Sequence, residues 1–244
     1  MKRAPLTPAQ VMPHELADVV EPLATWFVIG GQAMRCLCPY RPSRDVDFGV
    51  HDAHSLDELL KQLQRSGRVE ILERSADTVH LLFNGIKVSV FVLATLRPYV
   101  QERRLDVIGL LATKLHAILD RGTRRDFFDL YVTLQREQLG LAEALAAMRR
   151  VYRQEISEPL LLRALTYFDD AEREAPLPGE GPRDWETIKS FLRKRAGDLL
   201  IPPPGELAIQ AHTVDVKRPS RRSVDRSRPL PTTKKRTRPA RHRK

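Results

Sequence analysis

The N-terminal half of the chain alternates between the spacing of helices and the spacing of strands. Apolar residues recur every three or four positions from Met12 to Leu23, which predicts a helix. A buried strand over 26–29 then ends at Gly30-Gly31, and a short helix follows over 32–37. Acidic and apolar residues alternate over 45–50, as they do in a strand with one buried face. This alternation is typical of an α+β domain.

Further along, the pattern changes from strands to helices near residue 103. Ser55 followed by Glu58 predicts a capping box for a helix over 56–66. Asn84-Gly85 predicts a hairpin turn between two strand-like runs. The remaining predicted strands are 69–72, 79–83 and 86–93, and the predicted helices are about 107–121, 124–137, 140–153, 157–172 and 184–199. We therefore expect an α+β domain over 1–105 and a helical domain over 106–200.

The charge is distributed unevenly along the chain. The formal net charge is +10, yet residues 217–244 hold 13 Lys and Arg against a single acid, Asp225. The rest of the chain is close to neutral, so the basic character belongs to the C-terminal segment. This segment is rich in Pro, Ser and Arg and has too few apolar residues to offset chain entropy. We expect 201–244 to be a disordered basic tail.

Cysteine content and hydropathy limit the class of protein. The two cysteines, Cys36 and Cys38, are separated by a single residue, and a pair that close rarely forms a structural disulfide. No apolar run approaches the roughly 20 residues that a membrane-spanning helix requires. We expect a cytoplasmic protein that has no membrane partner.

Two short motifs together indicate phosphoryl chemistry. A strand that ends at Gly30-Gly31 and opens a helix offers backbone N–H groups to a phosphate, and the helix dipole favours its charge. Asp45 and Asp47 point to one face of a strand, so they can jointly hold Mg²⁺ or Mn²⁺. Either motif alone is weak, because acids often lie at strand ends for structural reasons. Phosphoryl transfer uses both a phosphate cradle and metal-holding carboxylates.

A resemblance to a known family follows from these residues. Gly30-Gly31 together with Asp45-Val46-Asp47 resembles the first motif of the DNA polymerase β-type nucleotidyltransferase superfamily. Residues 41–48 resemble the form of this motif that is found in the AbiEii toxin family. Residues 114–130 are similar to that family's Lys-x-x-Ala-x-x-x-Arg-x-x-x-Arg-Asp-x-x-Asp-Leu motif. The likeness extends over about 25–200.

The resemblance implies a fold and a function. The fold would be a polymerase β-like mixed sheet with helices, followed by the helical domain. The activity would be metal-dependent transfer of a nucleotidyl group from an NTP to an RNA or protein hydroxyl, with the tRNA 3′ end as the favoured acceptor. The biological role would be the toxin of a bacterial toxin–antitoxin or phage-defence pair, with a cognate antitoxin as partner.

The second motif supplies candidate cations for the nucleotide. Lys114 and Arg121 are seven residues apart and therefore share a helix face. Lys114 suits a phosphate as a point charge, and Arg121 and Arg125 suit bidentate contacts. Ser43, within the first matched segment, is expected to bind the nucleotide as well. The alternative is a solvated helix face with pairs four residues apart, such as Arg125 with Asp129.

One position departs from the superfamily pattern. Many polymerase β-type enzymes carry a third acid on a later strand, where this chain has Ser89. Either Asp126, or less favourably Asp129, supplies the catalytic base or orients Lys114, or activity is weak or lost. In the last case the chain would be a catalytically inactive nucleotide- or RNA-binding protein that retains the fold.

Overall fold

The computed structural model describes residues 4–153 and 157–200. The predicted tail, 201–244, lies outside these described residues. Within the described ranges, no helix combines the length and the apolar character that crossing a bilayer would take. The helices are α1 (Pro8–Val11), α2 (His14–Val20), α3 (Gly30–Leu37), α4 (Ala53–Ser66), α5 (Val107–Asp120), α6 (Arg124–Glu137), α7 (Leu141–Tyr152), α8 (Glu158–Thr166), α9 (Asp169–Glu172) and α10 (Asp184–Leu200).

Seven strands form one mixed sheet in the order β3-β4-β5-β2-β1-β7-β6. β2 runs parallel to β5, and their register places Asp47 opposite Ser89. β4 runs antiparallel to β5 on its other side and places His80 opposite the same Ser89. The strands are β1 (Trp26–Val28), β2 (Val46–Val50), β3 (Val69–Arg74), β4 (Thr78–Phe83), β5 (Ile86–Val92), β6 (Val100–Gln101) and β7 (Arg104–Leu105). The register therefore aligns three polar residues in a row across the middle of the sheet.

The α+β fold class is confirmed by this order of elements. Asn84 and Gly85 both have positive φ, of 48° and 85°, as a tight hairpin turn between β4 and β5 requires. Strands β6 and β7 were not predicted, because two residues are too few to show an alternating pattern.

Three helix predictions needed correction. The helix expected from Met12 to Leu23 is the shorter α2, because Met12 is extended before Pro13 and Pro13 is the N-cap; α1, which ends at Val11, was not predicted. Helix α4 starts earlier than expected, with Asp52 as its N-cap, since the Asp52 carboxylate accepts the Ser55 N–H. The helix expected over 157–172 is interrupted at Tyr167, whose backbone is extended, and the side chain of the next residue, Phe168, is buried in the core.

Two hydrophobic clusters meet at α5. The first cluster joins the sheet to the N-terminal helices, and the second is formed by the helices that follow the sheet. Leu110 of α5 belongs to the first cluster, whereas Leu111 and Leu115 belong to the second. The described residues nevertheless fall within one compact unit, and the domain boundary expected at residue 105 stays a prediction. Lys114 lies on this shared helix.

Candidate active site

Two glycines bring the start of α3 against the acidic strand end. Gly30 has a φ of +57°, and a Cβ atom placed there would lie 2.6 Å from Oδ2 of Asp47. A Cβ atom on Gly31 would overlap the hydroxyl of Ser43. Only glycine allows both approaches, because it has no Cβ and adopts positive φ freely. The first turn of α3 therefore lies directly beside the Asp47 carboxylate and the Ser43 hydroxyl.

The two acids of the Asp-x-Asp motif differ in environment. Asp45 is exposed just before β2, whereas Asp47 is half-buried within the strand. Burial and the charge of Asp45 raise the pKa of Asp47 above its ordinary value of 3.8. A hydrogen bond from Ser89 and the cations Lys114 and Arg121 oppose that rise. Two carboxylates that repel each other in this way would be stabilised by a cation.

The Asp45 and Asp47 carboxylates fit a hard divalent cation whose remaining ligands are water and substrate. Among residues 4–153 and 157–200, no cluster of three or more His, Cys, Asp or Glu side chains could hold a metal. Asp45 and Asp47 could therefore supply two carboxylates only. This number is typical of Mg²⁺, which is commonly bound through one or two carboxylates together with water and substrate phosphates.

Lys114 is held by a buried acid. Its Nζ lies 2.6 Å from Oδ2 of Asp129 and 3.6 Å from Oδ1 of Asp126. Asp129 also accepts two hydrogen bonds from Arg41, at 3.0 and 2.6 Å, and one from the Tyr40 hydroxyl at 2.6 Å. Asp129 is completely buried. It therefore serves as the shared anion for two buried cations.

These contacts keep Asp129 charged. Burial by itself would raise the pKa of Asp129, but Lys114 and Arg41 outweigh it and lower that pKa. The same contacts contradict the alternative in which Asp129 pairs with Arg125 on the helix surface. Arg125 is exposed on α6, and Asp129 faces Lys114 and Arg41 instead.

Asp126 holds a second cation at the start of α6. Its carboxylate accepts hydrogen bonds from Nε and Nη2 of Arg121, at 3.0 and 3.3 Å, and from the Thr123 hydroxyl at 2.5 Å. Burial would raise the pKa of Asp126, but the Arg121 hydrogen bond and the Lys114 charge outweigh it and lower the pKa. The Arg121 side chain itself is 57% exposed. Asp126 thus presents a guanidinium group to solvent.

The structure thus brings most of the expected site residues to one region. Gly30, Gly31 and Ser43 surround the Asp-x-Asp strand end, and Lys114 and Arg121 lie within electrostatic range of Asp47. Arg125 is exposed on α6, and within residues 4–153 and 157–200 no hydrogen bond or ion pair joins it to this group.

Two contributors to the site were not predicted from the sequence. Arg41 lies inside the segment that resembles the AbiEii family, but its partner Asp129 is 88 residues away. His80 lies on β4, and only strand pairing brings it to Ser89. Neither residue has a sequence signal that names its partner.

A groove of about 610 Å³ opens beside Asp45. Three cationic side chains, Arg35, Arg44 and Lys87, line it, and Asp45 is its acidic member. The groove therefore offers positive charge next to the candidate metal-binding acids.

Part of the chain that contains several of these site residues matches a known protein family. Residues 93–204 match the family described as "Nucleotidyl transferase AbiEii toxin, Type IV TA system". The resemblance to the AbiEii family is confirmed. The matched range contains Lys114, Arg121 and Asp126, and it begins after the Asp-x-Asp strand. The matched residues are therefore similar to a nucleotidyl transferase family, as the sequence predicted.

Individual relatives of the chain are distant. The uncharacterized protein aq_aa25 of Aquifex aeolicus (strain VF5) is 27% identical over 184 residues, which covers 72% of this chain and 88% of the relative. Among solved structures, JHP933 from Helicobacter pylori is similar with a TM-score of 0.48 and 17% identity, covering 82% of this chain and 91% of that one. A second H. pylori structure, described as a candidate nucleotidyltransferase, has a TM-score of 0.48 and 15% identity, covering 76% and 93%.

Proposed function

We propose that the chain transfers a nucleotidyl group from an NTP to a hydroxyl of RNA, with the 3′ end of a tRNA as the favoured acceptor and a protein hydroxyl as the alternative. The new bond joins the acceptor oxygen to the α-phosphorus, and pyrophosphate leaves. The observation that carries the proposal is the contact between the glycine-opened start of α3 and Asp47, which puts a phosphate cradle beside metal-binding acids.

Each part of the site receives a role in this proposal. Asp45 and Asp47 would hold Mg²⁺ (or Mn²⁺), which supplies charge neutralisation for the transferring phosphorus. The N–H groups of Gly30 and Gly31 cradle phosphate beside the Ser43 hydroxyl.

Three cations complete the nucleotide-binding part of the site. Lys114 and Arg121 neutralise the triphosphate, and the exposed Arg125 is our candidate for an outer contact. All three belong to the segment in which the family likeness was confirmed.

We assign the two buried acids of α6 to positioning. Asp126 accepts three hydrogen bonds and has a lowered pKa, so it is a poor proton acceptor. We propose that Asp126 orients Arg121 and that Asp129 orients Lys114. The proton of the acceptor hydroxyl would then pass to the phosphate of the substrate itself.

The acceptor would approach through the cationic groove beside Asp45. Arg35, Arg44 and Lys87 there match the phosphodiester backbone of RNA better than they match a protein surface. The family description supports a toxin role within a toxin–antitoxin pair, and therefore a cognate antitoxin. We extend this role to phage defence as part of the proposal.

A second candidate function is a catalytically inactive nucleotide- or RNA-binding protein. The observation in its favour is Ser89, which stands opposite Asp47 where related enzymes carry a third acid. Such a protein would bind an NTP and RNA through the same cations but would form no product.

One experiment separates the two functions. The purified chain is incubated with Mg²⁺ and each of the four α-³²P-labelled NTPs, with total RNA and separately with total protein. We expect label on RNA from one NTP, and none after Asp45→Ala or Asp47→Ala or with EDTA. Labelling that survives both substitutions would refute the catalytic proposal. NTP binding by a folded wild-type chain without any labelling would favour the binding protein.

A further inference from the structure

A row of three polar side chains crosses three strands at the centre of the sheet. Ser89 on β5 stands directly opposite Asp47 on β2 in the strand register, and its hydroxyl lowers the pKa of Asp47. On its other side, Oγ of Ser89 lies 2.9 Å from Nδ1 of His80 on β4. Ser89 is buried, and both neighbours stand directly opposite it in the strand register. The arrangement is therefore built into the pairing of the strands.

The direction of the hydrogen bonds follows from the number of protons available. A serine hydroxyl carries one hydrogen, and an ionised carboxylate can only accept. When Ser89 donates to the Asp47 carboxylate opposite it, the bond with His80 is donated by Nδ1 of the imidazole. The ring also packs edge-on against Phe91, with centroids 5.6 Å apart and an interplanar angle of 78°. His80 is thus oriented both by packing and by its bond to Ser89.

We propose that the Ser89–His80 pair replaces the third carboxylate of the site and acts as its positioning device. His80 holds the Ser89 hydroxyl, and Ser89 holds the Asp47 carboxylate in the orientation that ligates the metal. This inference rests on the proposed function, in which Asp47 is a metal ligand. His80 is a positioning residue, because it acts only through Ser89.

The chemistry of the neighbours supports this exchange of an acid for a hydroxyl. Asp47 already carries the cost of burial and of the nearby Asp45 charge. A third carboxylate at position 89 would add another like charge, whereas a hydroxyl adds a donor and no charge. The pair therefore fixes the ligand without adding to the repulsion between acids.

The test measures Mn²⁺ affinity of the full-length chain by electron paramagnetic resonance of free Mn²⁺, without NTP or RNA. His80→Phe keeps a ring against Phe91 but removes the N–H donor, and His80→Asn returns an N–H near the position of Nδ1. Ser89→Ala removes only the hydroxyl. His54→Phe, at an exposed histidine of α4, is the matched control. Thermal unfolding of every variant reports on the fold.

We expect His80→Phe and Ser89→Ala to weaken Mn²⁺ binding about 10-fold or more, as loss of a residue that orients a metal ligand does. His80→Asn should restore most of the affinity. The double variant His80→Phe/Ser89→Ala should bind Mn²⁺ no more weakly than Ser89→Ala alone. The control should bind as the wild type does.

Two results would overturn the proposal: a folded Ser89→Ala variant with wild-type affinity, or His80→Asn as weak as a folded His80→Phe. Should His80→Phe unfold, Ser89→Ala decides the matter, because its single-atom change leaves the ring in place. Asp47→Ala keeps the two proposals apart. If it retains wild-type Mn²⁺ affinity, the proposed metal site is itself wrong. If it loses binding while Ser89→Ala does not, only the role of Ser89 and His80 fails.

Discussion

Replacing Asp129 with Asn should destabilise the fold strongly. Asp129 is completely buried and is the shared partner of Arg41 and Lys114, each of which has a side chain only 6% exposed. The amide keeps the size of the side chain but removes its charge, so Arg41 loses its buried counter-ion and Lys114 keeps only Asp126, 3.6 Å away. Removing one partner of a buried ion pair costs about 3–5 kcal/mol. Because whole domains are stable by about 5–15 kcal/mol, this loss is a large fraction of the total.

Urea unfolding followed by tryptophan fluorescence measures this loss. The matched control is Asp18→Asn at an exposed position of α2, which should change the free energy of unfolding by less than about 0.5 kcal/mol. The pKa of Asp129 in the folded state lies below its ordinary value of 3.8, so its stabilisation is complete above pH 3.8. The difference between wild type and variant should therefore shrink as the pH falls below 3.8. A variant as stable as the control at pH 7 would refute this account of the buried ion pairs.

Three further predictions concern the site and the C-terminal segment. Asp47→Asn should abolish nucleotidyl transfer and raise the thermal unfolding midpoint at pH 7. The midpoint should rise because the pKa of Asp47 is raised in the folded state, so its charge destabilises the fold above pH 3.8. A lowered midpoint would contradict this. Gly30→Ala should lower the free energy of unfolding in urea by about 1–2 kcal/mol, because the φ of +57° at this position strains any residue that has a Cβ. The added methyl group should also weaken Mn²⁺ binding by crowding Asp47. Unchanged stability would argue against the left-handed conformation. Removing 217–244, with its 13 Lys and Arg, should reduce the salt dependence of RNA binding: the slope of log K against log salt concentration should fall by about 0.7 for each phosphate that the segment neutralises. The rate of transfer at saturating RNA should stay unchanged. A truncated chain that binds NTP but transfers nothing would show instead that this segment positions the acceptor.

Local signals in the sequence determined the kinds of element and the candidate chemistry. The Asn84-Gly85 turn, the strand that ends at Gly30 and the amphipathic α5 were all readable, because each depends on residues a few positions apart. The same is true of the two motifs that resemble the AbiEii family. The extended backbone before Pro13 was also readable in principle, but the apolar spacing that begins at Met12 concealed the later start of α2.

Only the tertiary structure decided which polar groups became partners. Asp129 could have paired with Arg125 along its own helix, yet it pairs with Arg41, which is 88 residues away. Likewise, the sequence showed only that position 89 lacks an acid. The strand register shows that His80 and Asp47 lie on either side of Ser89. The physical reason is that burying a charged or polar side chain requires a partner, and packing selects that partner from anywhere in the chain. Periodicity indicates which side chains are buried, but the partner of a buried polar group becomes known only when helices and strands are packed together.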